Sequence, residues 1–190
     1  MTDNMSTLTP LLGPLAALQS LLDIYPERNI IIGGIASSLL GQPRLTADLD
    51  ALILLSNEEI PKLFENAIKK GLETRVAEAE EFAKRHRIAL LRHTESETNI
   101  DISLGLLPFE QEAISHSHTQ EVGGIVINLP TPEDLIVMKA VAHRPKDLLD
   151  IQGIIQSHRN LDRDYIQNWV QQFADLLERP ELWDDIADWF

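Results

Sequence analysis

The spacing of apolar side chains divides this chain of 190 residues into stretches of different period. Leucines at 11, 12, 15, 18, 21 and 22 recur at helical intervals and predict an amphipathic helix over residues 9–24. Asn29-Ile30-Ile31-Ile32 is a short apolar run of the kind a buried strand shows, and it stops at Gly33-Gly34. Ile35 to Leu40 predicts a short helix. Thr46 to Leu55 predicts a second strand, at 47–55, with Asp48 and Asp50 near its start. Ser56 and Glu59 have the spacing of a capping box, opening a helix that Gly71 should close. Further strands are expected at 72–76, 88–91 and 100–104, with a charged helix at 78–86. The polar turn Thr94–Asn99 makes a hairpin of the last two strands. A weaker hairpin, 121–127, surrounds Gly123-Gly124.

From Thr131 onward the pattern is purely helical. Thr131-Pro132-Glu133-Asp134 supplies an N-cap, a proline at the first helical position and acids in the first turn. A second helix is expected from Pro145 to about His158, a third from about Asp162, and a short segment after Pro180. The expected organisation is a core over 1–130 and a helical region over 131–190 packed on it. The fold class is α/β (α+β), a mixed sheet flanked by helices.

Bulk properties narrow the function classes. Hydrophobic residues make up 44% of the chain, enough for a packed core, and there is no apolar run of membrane-spanning length. The start Met1-Thr2-Asp3-Asn4 is acidic, unlike a signal peptide, and cysteine is absent; both favour a cytoplasmic protein. The formal charge of −14 excludes a broad basic surface for gripping a long nucleic acid, while leaving room for a local basic patch on a nucleic-acid end.

The candidate chemistry lies in acids on strands. Residues two apart on a strand share a face, so Asp48 and Asp50 are expected to project together beside the Gly33-Gly34 turn. Close carboxylates repel unless a cation or a shared proton separates them. Asp101, set between Ile100 and Ile102, is a third acid in an apolar strand. If its strand lies beside that of Asp48 and Asp50, three carboxylates converge and suit one or two Mg²⁺ ions, the arrangement that clamps both oxygens of a phosphoryl displacement. The bland readings are a solvated strand edge and an ordinary turn. Asp101 tips the balance toward a metal site.

Gly33-Gly34, Asp48-Leu49-Asp50 and Ile100-Asp101-Ile102 together resemble the DNA polymerase beta-type nucleotidyltransferase superfamily. The runs Pro132 to Lys139 and Arg144-Pro145-Lys146-Asp147-Leu148-Leu149-Asp150 resemble its abortive-infection type E (AbiEii-like) toxin branch, and the likeness covers roughly residues 29 to 155. The resemblance implies a nucleotidyltransferase-like sheet. It also implies Mg²⁺-dependent transfer of a nucleoside monophosphate from a nucleoside triphosphate to a hydroxyl on RNA, protein or a small molecule, in a toxin–antitoxin setting with a possible antitoxin partner. By the same resemblance, Asp48, Asp50 and Asp101 would hold the metals and Asp101 would help deprotonate the acceptor. Gly33 and Gly34 would approach the phosphates. Lys139 and Lys146 would neutralise the leaving pyrophosphate, Asp147 and Asp150 would orient those lysines or a base, and Arg44 would touch phosphate. Without the resemblance, Lys139 reads as a surface lysine and Asp147 and Asp150 as first-turn acids. The chain departs from the family in one place: Gly34 stands where a serine is frequent, with Ser37 or Ser38 as possible substitutes. That departure motivates a rival, a catalytically weak binding module of antitoxin type. An aminoglycoside-type enzyme is a further alternative.

Overall fold

The computed structural model describes residues 8–190, so the acidic start at Met1–Asn4 lies outside the described residues. The central sheet has five strands: β1 (Asn29–Ile32), β2 (Leu49–Leu54), β3 (Leu72–Thr74), β4 (Ile88–His93) and β5 (Asn99–Gly105). Their spatial order is β1-β2-β5-β4-β3, with β2 and β5 parallel and the other pairs antiparallel. The parallel pair requires a crossover, and the chain from 55 to 98 supplies it, carrying β3 and β4 to the far edge before β5 returns to the middle.

Alternation along β5 explains how an acid sits in an apolar strand. Ile100, Ile102 and Leu104 are buried on one face, while Asp101 and Ser103 on the other are half-buried. The strand is therefore not buried on both sides: one face belongs to the core and the other opens on a cavity. β4 alternates in the same way, burying Ala89 and Leu91.

Helices cover the sheet. α1 (Leu12–Leu22) buries Leu15, Leu18, Leu21 and Leu22, as its spacing predicts. α2 (Gly33–Leu40) follows β1 directly. α3 (Ile60–Lys69) ends before Gly71, whose φ of +73° allows the closing turn; α4 (Ala79–His86) precedes β4. The second hairpin, β6 (His118–Val122) with β7 (Ile125–Leu129), turns at Gly123 and Gly124, both with positive φ, and packs on β1 and α1. From Thr131 the helices are α6 (Pro132–Ala142), α7 (Pro145–Ser157), α8 (Arg163–Leu177) and α9 (Glu181–Asp184). The Thr131 hydroxyl caps α6 by accepting from the Asp134 N–H at 3.1 Å. α6 packs against both α7 and α8, and α7 reaches back to α2.

One helix escaped the sequence pattern. α5 (Pro108–Ser115) has proline at its first turn but leucine, not a polar residue, at its N-cap. The Glu110 carboxylate does the capping, accepting from the N–H groups of Leu106 and Leu107 at 2.7 and 2.8 Å. Asp48 also differs from expectation. It lies exposed in the bend before β2, not within the strand. Among the described residues no helix is long and apolar enough to cross a membrane.

Ile102, fully buried at mid-sheet, carries packing that nothing can replace on truncation. Ile102→Ala should cost about 3 kcal/mol in urea denaturation. Leu176→Ala, at a position 74% exposed, should cost less than about 0.5 kcal/mol.

Candidate active site

The register of β2 and β5 sets Asp50 directly beside Asp101, and that of β1 sets Ile32 beside Asp50. Register partners on adjacent strands share a face, so the two carboxylates project together. Both line an open cavity of about 430 Å³ with Ile32, Gly33, Lys139 and Arg144. Burial pushes the Asp101 carboxyl above its ordinary pKa; Arg75 opposes the rise, and the charges of Asp50 and Asp48 add to it. Asp48 is thus felt at Asp101, although it does not line the cavity.

Among the described residues, Asp48 and Asp50 have no hydrogen-bond or ion-pair partner for their carboxylates. Asp101 accepts from one arginine, Arg75, which stands just past β3 and reaches across β4. Among the described residues no three carboxylate or imidazole groups are drawn together as a finished metal cage. The donor set nonetheless suits a hard dication: the oxygens are all carboxylate, two of the three groups are unpaired, and like charges sit side by side with little to offset them.

Facing the carboxylates is a buried ion network. The Lys139 ammonium, 5% exposed, donates to Asp147 Oδ1 at 3.0 Å and Asp150 Oδ2 at 2.8 Å. Arg44 grips Asp150 with a two-pronged fork at 2.6 and 2.8 Å, and Arg144 grips Asp147 likewise at 2.5 and 3.1 Å. Burial pushes both aspartates up, but the hydrogen bonds from Arg144 and Lys139 to Asp147, and from Arg44 and Lys139 to Asp150, hold each below the usual carboxylate range. The forks raise the pKa of Arg44 and Arg144, and the charge of Asp50 contributes to both. Lys139 and Arg44 are therefore engaged with protein carboxylates. Arg144, with its side chain 57% exposed, is the cation of the network most open to solvent. Lys146 is exposed.

The glycine turn is tight for a specific reason. Gly33 has φ +65°, and a Cβ there would land on the Asp50 carboxylate. A Cβ at Gly34 would lie 2.7 Å from Thr46 Cβ, so a side chain at 34 has no free volume. Thr46 fills it, and its hydroxyl donates to the Asp48 carbonyl at 3.2 Å. Ser37 and Ser38 are buried, donating to the carbonyls of Gly33 and Gly34 at 2.9 Å each. Their hydroxyls are thus used within the first turn of α2, and that of Ser38 also meets the Arg44 carbonyl at 3.1 Å.

The cavity continues into an apolar trench. Ile32, Ser103 and Met138 also line an adjoining hollow walled by Phe109 and Phe173, and Trp169 packs edge-on against Phe109 with centroids 5.2 Å apart. Other polar clusters lie elsewhere. His116 sits 3.5 Å from the buried Asp134 and His118 opens β6. In the basic run Lys84-Arg85-His86-Arg87, Lys84 pairs with Glu81, and Arg87 donates to the Leu104 carbonyl and to Asn57.

The sequence matches the family model described as "Nucleotidyl transferase AbiEii toxin, Type IV TA system" over residues 17–185. The chain belongs to the AbiEii nucleotidyltransferase family. A comparison with curated protein sequences gives no significant match. Solved structures share the fold of this AbiEii-family chain. An antigenic nucleotidyltransferase-like protein from Paracoccidioides brasiliensis is 18% identical, with TM-score 0.52 and coverage of 99% of this chain and 92% of that one. ANT(2")-Ia in complex with adenylyl-2"-tobramycin is 16% identical, with TM-score 0.57 and coverage of 90% and 99%. A putative nucleotidyltransferase from H. pylori is 14% identical, with TM-score 0.51 and coverage of 98% and 83%.

Arg75, Thr46 and Arg144 are the residues around the site that the sequence left unassigned. Arg144 stood inside a motif already noted. Nothing in one dimension tells that the end of β3 meets Asp101.

Two outcomes follow from this geometry. Asp147 and Asp150 are held below their ordinary pKa in the fold. Their contribution to stability is complete above the unfolded value of about 3.9 and fades as pH falls through the folded values. Asp147→Asn/Asp150→Asn should therefore show a shallower loss of stability than wild type below about pH 5 in urea titrations. Gly33→Ala should lose about 1–2 kcal/mol from its left-handed backbone alone, measured the same way.

Proposed function

We propose that the chain is a Mg²⁺-dependent nucleotidyltransferase that moves a nucleoside monophosphate from a nucleoside triphosphate to a hydroxyl acceptor and releases pyrophosphate. The observation that carries the reading is the pairing of Asp50 and Asp101 on adjacent parallel strands, in a cavity whose opposite wall is the Lys139–Arg144 network. Asp50 and Asp101, with Asp48 from the bend before β2, would hold the ions. Bound Mg²⁺ would neutralise charge on the phosphates during displacement.

The chain's own residues have distinct tasks. Gly33 and Gly34 open α2, and the N–H groups of that helix N-terminus, next to Asp50, would be offered to phosphate. Arg144 offers its solvent-open guanidinium to the triphosphate, with Lys146 close by in sequence at the start of α7. Lys139, Asp147, Asp150 and Arg44 act as a brace that fixes Arg144 and the loop before β2. The acceptor oxygen forms its bond to the α-phosphorus as the bond to pyrophosphate breaks, and its proton passes to Asp101. Orientation and charge stabilisation supply most of the rate in such a transfer.

The acceptor lies along the trench past Met138 and Phe109 in this reading. A small-molecule acceptor is the second reading. Its support is the apolar wall of Phe109, Met138 and Phe173 together with an overall charge of −14, which suits an uncharged or cationic body better than a long polyanion. The family setting supports a toxin role with a cognate antitoxin, and use of nucleoside triphosphates supports work in the cytoplasm. An antitoxin-like module without catalysis remains a rival that nucleotide binding decides.

Incubation with each α-labelled triphosphate, Mg²⁺ and cell extract should transfer label to an acceptor. Asp50→Asn should lower that transfer by at least about a hundredfold while the protein stays folded. Folded wild-type protein that neither binds nucleotide nor transfers label would contradict the reading.

A further inference from the structure

Among the described residues, Arg75 is the cation paired with one of the three carboxylates proposed to hold metal. Its backbone is pinned, with its N–H donating to the Leu90 carbonyl at 3.0 Å and so extending the β3–β4 ladder by one residue. Its side chain is not pinned in the same way. Three arginines of this fold make a two-pronged fork: Arg44 on Asp150, Arg144 on Asp147 and Arg28 on Glu59 each reach both carboxylate oxygens. Arg75 touches Asp101 through a single Nη2 on a single oxygen, and its buried Nε has no partner. One prong resists displacement far less than two, and an idle buried N–H lowers the cost of leaving.

We infer that Arg75 is a resident counter-ion on Asp101 that gives way when a divalent cation binds, and not a fixed support that orients Asp101 for it. The inference rests on the metal-dependent reading above. The guanidinium reaches Asp101 Oδ1 from the β4 side, on the flank away from Asp50, and its charge on that carboxylate repels an arriving dication. In the ion-free protein it offsets the third of three like charges. The two possible roles of Arg75 predict opposite signs. A placeholder weakens ion binding, so its removal tightens it; an orienting support strengthens ion binding, so its removal weakens it. A placeholder with one prong is also replaceable by lysine, whereas a fork is not.

The test is Mn²⁺ binding to the full chain without nucleotide, with free Mn²⁺ read by electron paramagnetic resonance and folding checked by thermal melts. Arg75→Gln should bind Mn²⁺ about fivefold more tightly than wild type, and Arg75→Lys should stay close to wild type. Unchanged or weaker binding in folded Arg75→Gln overturns the inference. If that variant does not fold, Arg75→Met decides by the same sign: tighter Mn²⁺ binding supports a placeholder, and unchanged or weaker binding overturns it. Asp50→Asn reads the underlying proposal separately. Mn²⁺ binding lost in Asp50→Asn but untouched in Arg75→Gln refutes only the placeholder. Mn²⁺ binding that ignores Asp50→Asn, or is absent from wild type, refutes the metal site and the placeholder with it.

Discussion

The parallel pairing of β2 with β5 is the constraint on which the molecule turns. It sets Asp50 against Asp101 at the spacing of neighbouring strands, about 4.8 Å. Neither side chain can swing to the other face of the sheet without breaking the register, because Leu49, Ala51, Ile100 and Ile102 fill the core on that face. The sheet therefore holds two like charges together, and the fold offsets them only in part. Hydrophobic burial on one face supplies the rigidity that electrostatic repulsion on the other face demands.

The second element of the design is the buried network of Lys139, Asp147, Asp150, Arg44 and Arg144. It joins α6, α7 and the loop before β2, so that the helical third cannot shift without unpairing buried charges. Such pairs add little net stability, yet breaking one leaves an uncompensated charge and is costly. Their value here is geometric. They fix the wall opposite the carboxylates and leave one guanidinium, that of Arg144, open to solvent.

Much of this was legible in one dimension because local rules and the fold agree. Thr131 with Pro132, Gly71, and Gly123-Gly124 each mark a boundary by their own backbone or capping chemistry, and the structure ends or turns there. The acids at 50 and 101 could be singled out because charge inside apolar runs is costly. Their side-by-side register was not legible, since a parallel pair 51 positions apart in sequence depends on the crossover. α5 was hidden because its cap is a glutamate reaching back from within the helix, without the usual polar residue at the boundary. The absence of a serine at position 34 also took on a different meaning in three dimensions. Thr46, twelve positions later, already fills that space. The resemblance had Asp147 and Asp150 orienting the lysines, and the Lys139 ammonium is indeed held between these two aspartates of the next helix; its burial was not legible.

The central claim is that the Asp50–Asp101 cavity is where metal and nucleotide meet. A crystal soaked with Mn²⁺ and a non-hydrolysable triphosphate, phased on the manganese anomalous signal, tests it most directly. The account predicts an anomalous peak between the carboxylates of Asp50 and Asp101, with phosphate density at the Gly33 turn and near Arg144. Manganese and nucleotide bound elsewhere, with Asp101 still paired to Arg75 and the cavity filled by solvent alone, would contradict it.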